Sequence, residues 1–189
     1  MNQKFYDLIE ANPVIAAVKD DKGLETCCTS EEIRVVFILY GDICNIKDIV
    51  AKVHESGKIA MVHVDLITGL SSREIAVDFI KNETEADGII STKPTLIKRA
   101  KELSLYTILR IFIIDSMTFE NINYQVVSGR PDMVEILPGL MPKVIKKVCK
   151  MVKIPVISGG LIREKEDVVE ALAAGAISVS STNPNVWLM

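Results

Sequence analysis

Two short stretches of the sequence carry residue types suited to holding an anion. "VISGG" (156–160) ends an apolar run on Ser158, Gly159 and Gly160, and "SVSSTN" (178–183) ends another on Ser180, Ser181 and Thr182. A phosphate needs several convergent N–H and O–H donors. Glycine lets the backbone approach it closely, and a helix start adds favourable partial charge. Paired glycines also make tight turns, and hydroxyl residues also close strands, so punctuation is the competing reading. The position of both stretches, at the ends of consecutive apolar runs, favours a phosphorylated small molecule.

Further polar residues close other apolar runs: Lys19, His63 with Asp65, Lys93 beside Ser91, and Glu135. Strand alternation puts Met61, His63 and Asp65 on one face, Lys19 with Ile15 and Ala17, and Lys93 with Ile89 and Ser91. These five residues, Lys19, His63, Asp65, Lys93 and Glu135, are the candidates for the mouth of a pocket. Each has a plainer alternative. Lys19 and Lys93 would also snorkel to water, and His63 would also serve as a hydrogen-bonded structural histidine. Arg110 and Glu135 are expected to pair with each other, and Asp115 to cap the turn after it. No Ser/His/Asp triad, metal cluster or carboxylate pair is present, so no catalytic residue, metal or cofactor is assigned. Lys93 is the single candidate for a Schiff-base lysine, and nothing else in the sequence supports that role.

The elements that must position these residues are short branched apolar runs alternating with amphipathic segments. The runs are 13–19, 35–41, 59–67, 88–93, 107–115, 133–139, 155–160 and 176–182. Near-continuous Val, Ile and Leu suits parallel strands covered on both faces. Helices are expected over 71–82, 94–103, 141–152 and 164–175, with Ser71 and Glu74 as a capping box and Gly175 as a stop. Eight strands alternating with helices predict one α/β domain over 1–189, a compact (β/α)8 TIM-barrel-like fold. The chain is short for that fold, so the loops must be minimal and the last helix reduced to "NPNVWLM". A doubly wound open sheet is the alternative. In a barrel, chemistry sits at the strand C-termini, and a phosphate is often held by the loops after strands seven and eight.

The 189 residues are 49% hydrophobic, with 22 Lys and Arg against 25 Asp and Glu. The net charge of −3 argues against indiscriminate binding of polyanions by the whole molecule. The four cysteines form no C-x-x-C pair and two histidines offer no zinc spacing, which suits reduced thiols in a cytoplasmic protein. No apolar run approaches the ~18–20 residues of a membrane span, and no secretory signal is expected. One local exception to the acidic balance is "MPKVIKKVCKMVK" (141–153). Lys143, Lys146, Lys147 and Lys150 share one helical face there, opposite Val144, Ile145, Val148, Met151 and Val152. That face is either a solvated outer surface or an electrostatic strip for a nucleic-acid backbone.

These residues resemble the glycerol uptake operon antiterminator regulatory protein family. The matching blocks are "NPVIAAVKDDKGLE", "VVFILYGDICNI", "VHVDLITGLSSREIAVDFI", "ADGIISTK", "DMVEILPGLMPKVI", "PVISGGLIREKEDVVEALAAGA" and "SSTNPNVW". They run in order from about residue 5 onward. The resemblance implies a non-catalytic TIM-barrel-like sensor of glycerol 3-phosphate that acts on leader mRNA to prevent premature termination, and a possible homodimer. Carried onto this chain, the phosphate falls near Gly159, Gly160, Ser181 and Thr182, and the glycerol hydroxyls near Lys19, His63, Asp65 and Lys93. An enzyme acting on a phosphorylated three-carbon or sugar substrate is the alternative reading.

Overall fold

The computed structural model describes residues 3–188. Eight parallel strands close into a barrel in sequence order, with the last pairing back onto the first. They are β1 (Val14–Val18), β2 (Val35–Ile38), β3 (Ile59–His63), β4 (Gly88–Ser91), β5 (Tyr106–Phe112), β6 (Met133–Leu137), β7 (Val156–Gly159) and β8 (Ser178–Ser181). A helix, α1 (Gln3–Glu10), precedes the barrel. One helix then follows each strand: α2 (Asp21–Thr29), α3 (Ile46–Glu55), α4 (Ile75–Glu83), α5 (Pro94–Glu102), α6 (Ser116–Gly129), α7 (Pro142–Met151), α8 (Lys165–Ala173) and the single turn α9 (Pro184–Trp187). This is the (β/α)8 architecture expected from the eight apolar runs, and the closed sheet excludes the open doubly wound alternative.

The runs are continuous because each strand is covered on both faces. Ile15, Phe37, Met61, Ile90, Ile108, Met133 and Ile157 fill the barrel, and Phe5 and Ile9 of α1 close its N-terminal end. The Phe5 ring stacks on Tyr106 with centroids 4.2 Å apart. The alternate residues, among them Ala16, Val36, Val62, Ile89, Leu109, Val134 and Val179, pack under the helices. Each fully buried Ile or Phe contributes about 1.5–3 kcal/mol relative to exposure, so these two layers dominate folding. Towards the C-terminal end the interior turns polar: His63, Arg110, Glu135 and Ser180 are all buried.

Strand ends and caps depart from the sequence pattern in ways that matter for the site. β3 stops at His63, and Val64–Leu66 form a 3-10 turn, so Asp65 does not continue the alternation of the strand. β2 stops at Ile38 and β5 at Phe112, short of the expected Gly41 and Asp115. Asp115 instead caps α6, accepting from the Thr118 amide at 2.7 Å. The Ser71–Glu74 box does not form: α4 begins at Ile75, and Glu74 is itself helical and makes no side-chain cap bond. Gly175, at φ +111°, stops α8 as expected.

Candidate functional site

A cavity of about 480 Å³ opens at the C-terminal end of the barrel. The ends of β7 and β8 form one wall, with Gly160 to Arg163 from one loop and Ser180 to Pro184 from the other; Lys19 stands at the rim, and Arg110 and Glu135 form the floor.

The two glycines that close β7 serve different ends. A Cβ at Gly159 would stand 2.5 Å from a Glu135 carboxylate oxygen and overlap the Ser180 hydroxyl. Glycine there is what lets Glu135 reach across β7 to Ser180. Gly160 has φ +76° and is followed by Leu161 at φ +66°. A non-glycine residue in this left-handed region costs on the order of 1 kcal/mol, and such strain concentrates at functional sites. Among the described hydrogen bonds none has the amide of Gly160, Leu161, Ile162 or Thr182 as donor. Backbone N–H groups left free in a concave turn of this kind make an anion-binding nest.

The loop is held in place by its neighbours. Ser181 Oγ donates to the Ile162 carbonyl at 2.8 Å and accepts from the Asn183 amide at 3.1 Å. Asn183 Nδ2 donates to the Arg163 carbonyl at 3.2 Å, and the Gly139 amide donates to the Gly160 carbonyl at 2.9 Å. Trp187 Nε1 donates to the Ser181 carbonyl at 2.7 Å, so the one-turn α9 anchors the end of β8. Asp167 takes the amides of Arg163 and Glu164, which ends the free run at Ile162.

The floor is a closed polar set. Arg110 Nε donates to Glu135 Oε2 at 2.6 Å, and Ser180 Oγ donates to Glu135 Oε1 at 2.5 Å. This is the ion pair expected from strands five and six. Beside it His63 is 2% exposed, and its Nδ1 has no partner among the described residues. Burial, then the Arg110 charge, lowers the His63 pKa to about 4 against the opposing pull of Asp65, so the ring is neutral at pH 7. Lys19, Arg110 and Arg163 face one carboxylate, Glu135, and neither Lys19 nor Arg163 belongs to a described ion pair. An acidic chain therefore places an excess of positive charge in this one cavity.

Of the residues expected at the phosphate, Gly160, Ser180, Ser181 and Thr182 line the cavity. Ser180 and Ser181 spend their hydroxyl protons on Glu135 and Ile162, which leaves Thr182 and the amides. Ser158 lies on the other face of β7, where its hydroxyl points to the Gly139 carbonyl at 3.5 Å. Of the residues expected at the mouth, Lys19 and Glu135 line the cavity and His63, Asp65 and Lys93 do not. Asp65 turns towards β4, accepting from Ser91 Oγ at 3.0 Å and from the Thr92 amide at 2.6 Å. Burial would raise its pKa, but the Thr92 amide and hydroxyl, His63 and Ser91 together bring it below the usual value. Lys93 follows the same face: its amine lies 3.5 Å from Asp65 and donates to Ser72. Ile89 and Ser91 do share a face with Lys93, but that face looks at the helices, and Ile90 is the residue inside the barrel. The residues missed from the sequence are Leu161, Ile162, Arg163 and Asn183, together with Arg110 as cavity floor. Lys143, Lys146, Lys147 and Lys150 are all exposed on α7, away from the cavity lining.

A (β/α)8 barrel with a cationic cavity between the loops of its seventh and eighth strands is a fold of ligand-binding and catalytic proteins alike. Comparison with known proteins narrows the class. Residues 14–187 match the model of the glycerol-3-phosphate responsive antiterminator family, and the chain belongs to that family. It is 46% identical over 182 residues to Escherichia coli (strain K12) protein YgcP, covering 96% of this chain and 95% of that one. A glycerol uptake operon antiterminator regulatory protein from Listeria monocytogenes superposes with a TM-score of 0.89 at 33% identity, covering 93% of this chain and 94% of the other. A glycerol uptake operon antiterminator-related protein from Thermotoga maritima gives 0.83 at 32% identity, over 94% and 99% of the two chains.

Proposed function

We propose that this chain is a non-catalytic sensor that takes glycerol 3-phosphate into the barrel cavity and, when loaded, binds leader mRNA to prevent transcription termination in the cytoplasm. The observation that carries the ligand half is the wall of free amides at Gly160, Leu161, Ile162 and Thr182, set between Lys19 and Arg163. Phosphate oxygens satisfy those donors, and the cations offset the dianion. The glycerol hydroxyls then meet Glu135 and Arg110. Lys143, Lys146, Lys147 and Lys150 are the RNA-facing charges in this reading, and a homodimer is the form in which two such strips act together.

Calorimetry with glycerol 3-phosphate, glycerol and inorganic phosphate tests the ligand half. Glycerol 3-phosphate should bind the wild type and lose at least tenfold in affinity in Gly160→Asp, which adds negative charge and a side chain at φ +76°. Undiminished binding by a folded Gly160→Asp removes this loop from the site. An enzyme acting on a phosphorylated small molecule would use the same cavity, with Arg110, Glu135 and Ser180 as its reactive floor. Lys93, the one sequence candidate for a Schiff base, lies outside the cavity lining. Turnover of a triose phosphate by the wild type would favour the enzyme.

A further inference from the structure

The cavity contains a feature that an all-purpose phosphate site would avoid: a carboxylate buried beneath the phosphate-binding loop. Glu135 reaches the space under Gly159, where even a glycine Cβ would stand 2.5 Å from its oxygen. It is held there on both sides, by Arg110 Nε at 2.6 Å and by Ser180 Oγ at 2.5 Å. Lys19, Arg163 and the free amides all lie at the wall and rim above it. The site is thus polarised along the barrel axis, cationic outside and carboxylate-bearing inside.

From this geometry we infer that Glu135 is the specificity-determining residue of the cavity, admitting phosphate esters with a neutral hydroxyl-bearing tail and rejecting those whose tail carries a second anion. The inference rests on the reading of the cavity as a phosphate-ester site and names which esters it takes. Its physical basis is donor and acceptor matching. A tail hydroxyl donates to Glu135 and accepts from Arg110, whose described hydrogen bond is made through Nε alone. A tail carboxylate offers no proton, so it meets Glu135 as a like charge in a water-poor floor, where repulsion is strong. Arg110 does not rescue it, because its charge is already committed to Glu135. The same floor fixes orientation: the phosphate cannot invert into the barrel, and the hydroxyls must enter first.

Glycerol 3-phosphate and 3-phosphoglycerate differ at one carbon, a hydroxymethyl group against a carboxylate, and so isolate this effect. Calorimetry at pH 7.5 on the wild-type chain should show glycerol 3-phosphate binding at least tenfold more tightly than 3-phosphoglycerate. In Glu135→Gln the carboxylate charge is lost, Arg110 is released, and 3-phosphoglycerate should gain at least tenfold relative to glycerol 3-phosphate. Ser180→Ala, which keeps the charge, should leave the preference in the wild-type direction. If Glu135→Gln does not fold, the wild-type pair decides alone. Equal affinities in the wild type, or a ratio unmoved in folded Glu135→Gln, overturn the inference while leaving the phosphate-ester reading intact. Binding of neither ester at millimolar concentration overturns both.

Discussion

His63 shows how a residue can be legible in type and yet misplaced in role. It sits at the end of a strand beside Asp65 in sequence, which suggests a titrating pair at a pocket mouth. The fold instead buries it at 2% exposure next to Arg110, while Asp65 turns away to Ser91 and Thr92. Its pKa falls to about 4 from an unfolded value near 6.5. The lowered value means that the unfolded chain takes up the proton first. The stability contributed by neutral His63 is therefore complete above about pH 6.5, erodes as pH falls towards 4, and is lost below that. The full loss is at most about 3 kcal/mol, since one pKa unit is worth about 1.4 kcal/mol. Urea unfolding at pH 7.5, 6, 5 and 4.5 should show wild-type stability falling more steeply than that of His63→Gln; parallel curves would disprove it. Gly159 and Gly160 are the opposite case. The sequence marked the pair as either a turn or a ligand contact, and the structure divides them. Gly160 turns the chain into the cavity wall, and Gly159 clears the path from Glu135 to Ser180. Leu161 and Arg163 carried no signal, because what they contribute is a left-handed backbone and a position, neither of which residue type reports.

At the scale of elements, the eight strands were readable because burial on both faces leaves an unbroken apolar signature. That same signature conceals which face is inside. On β4 the alternation Ile89, Ile90, Ser91 is apolar on both sides, so nothing in the sequence separates the barrel interior from the helix layer. Ser91 and Lys93 consequently fall on the outer side with Asp65. On β8 the hydroxyl residues broke the symmetry, and Ser180 was placed correctly at the cavity. The helix α7 poses a different question, since its pattern fits either a solvated face or a nucleic-acid contact. Its four lysines are exposed, and none belongs to a described ion pair. Lys146, Lys147 and Lys150 changed together to Glu should weaken leader-RNA binding by more than tenfold. The slope of log affinity against log salt should become shallower by about 2, from three contacts at ~0.7 each on single-stranded RNA. Glycerol 3-phosphate binding should not change, because the strip does not line the cavity. RNA binding that survives the triple substitution would assign these lysines to solvent.

At the scale of the whole molecule, the ligand cavity lies at the strand C-termini and the lysine strip on the outside of α7, so a sensor must couple two sites that share no residue. The elements between them are few. β6 carries Glu135 on the cavity floor and runs directly into α7, and Gly139 in the connecting loop donates to the Gly160 carbonyl. A ligand that draws Glu135 or the Gly160–Leu161 turn into a new position therefore acts on the start of α7. Such a device works only through differential affinity. If the loaded and empty forms bind RNA equally, no strength of ligand binding regulates anything. Linkage makes this testable without knowing the conformational change. Whatever factor glycerol 3-phosphate adds to RNA affinity, RNA must add to glycerol 3-phosphate affinity. The expected factor is about 5–150, the usual range for a coupling free energy of about 1–3 kcal/mol. Titrating RNA with and without saturating ligand, and ligand with and without saturating RNA, gives the two factors separately. Agreement within that range places both sites on one regulated molecule. A factor of one in both directions would mean that the cavity binds its ligand without instructing the RNA surface, and the sensing half of the proposed function would fall.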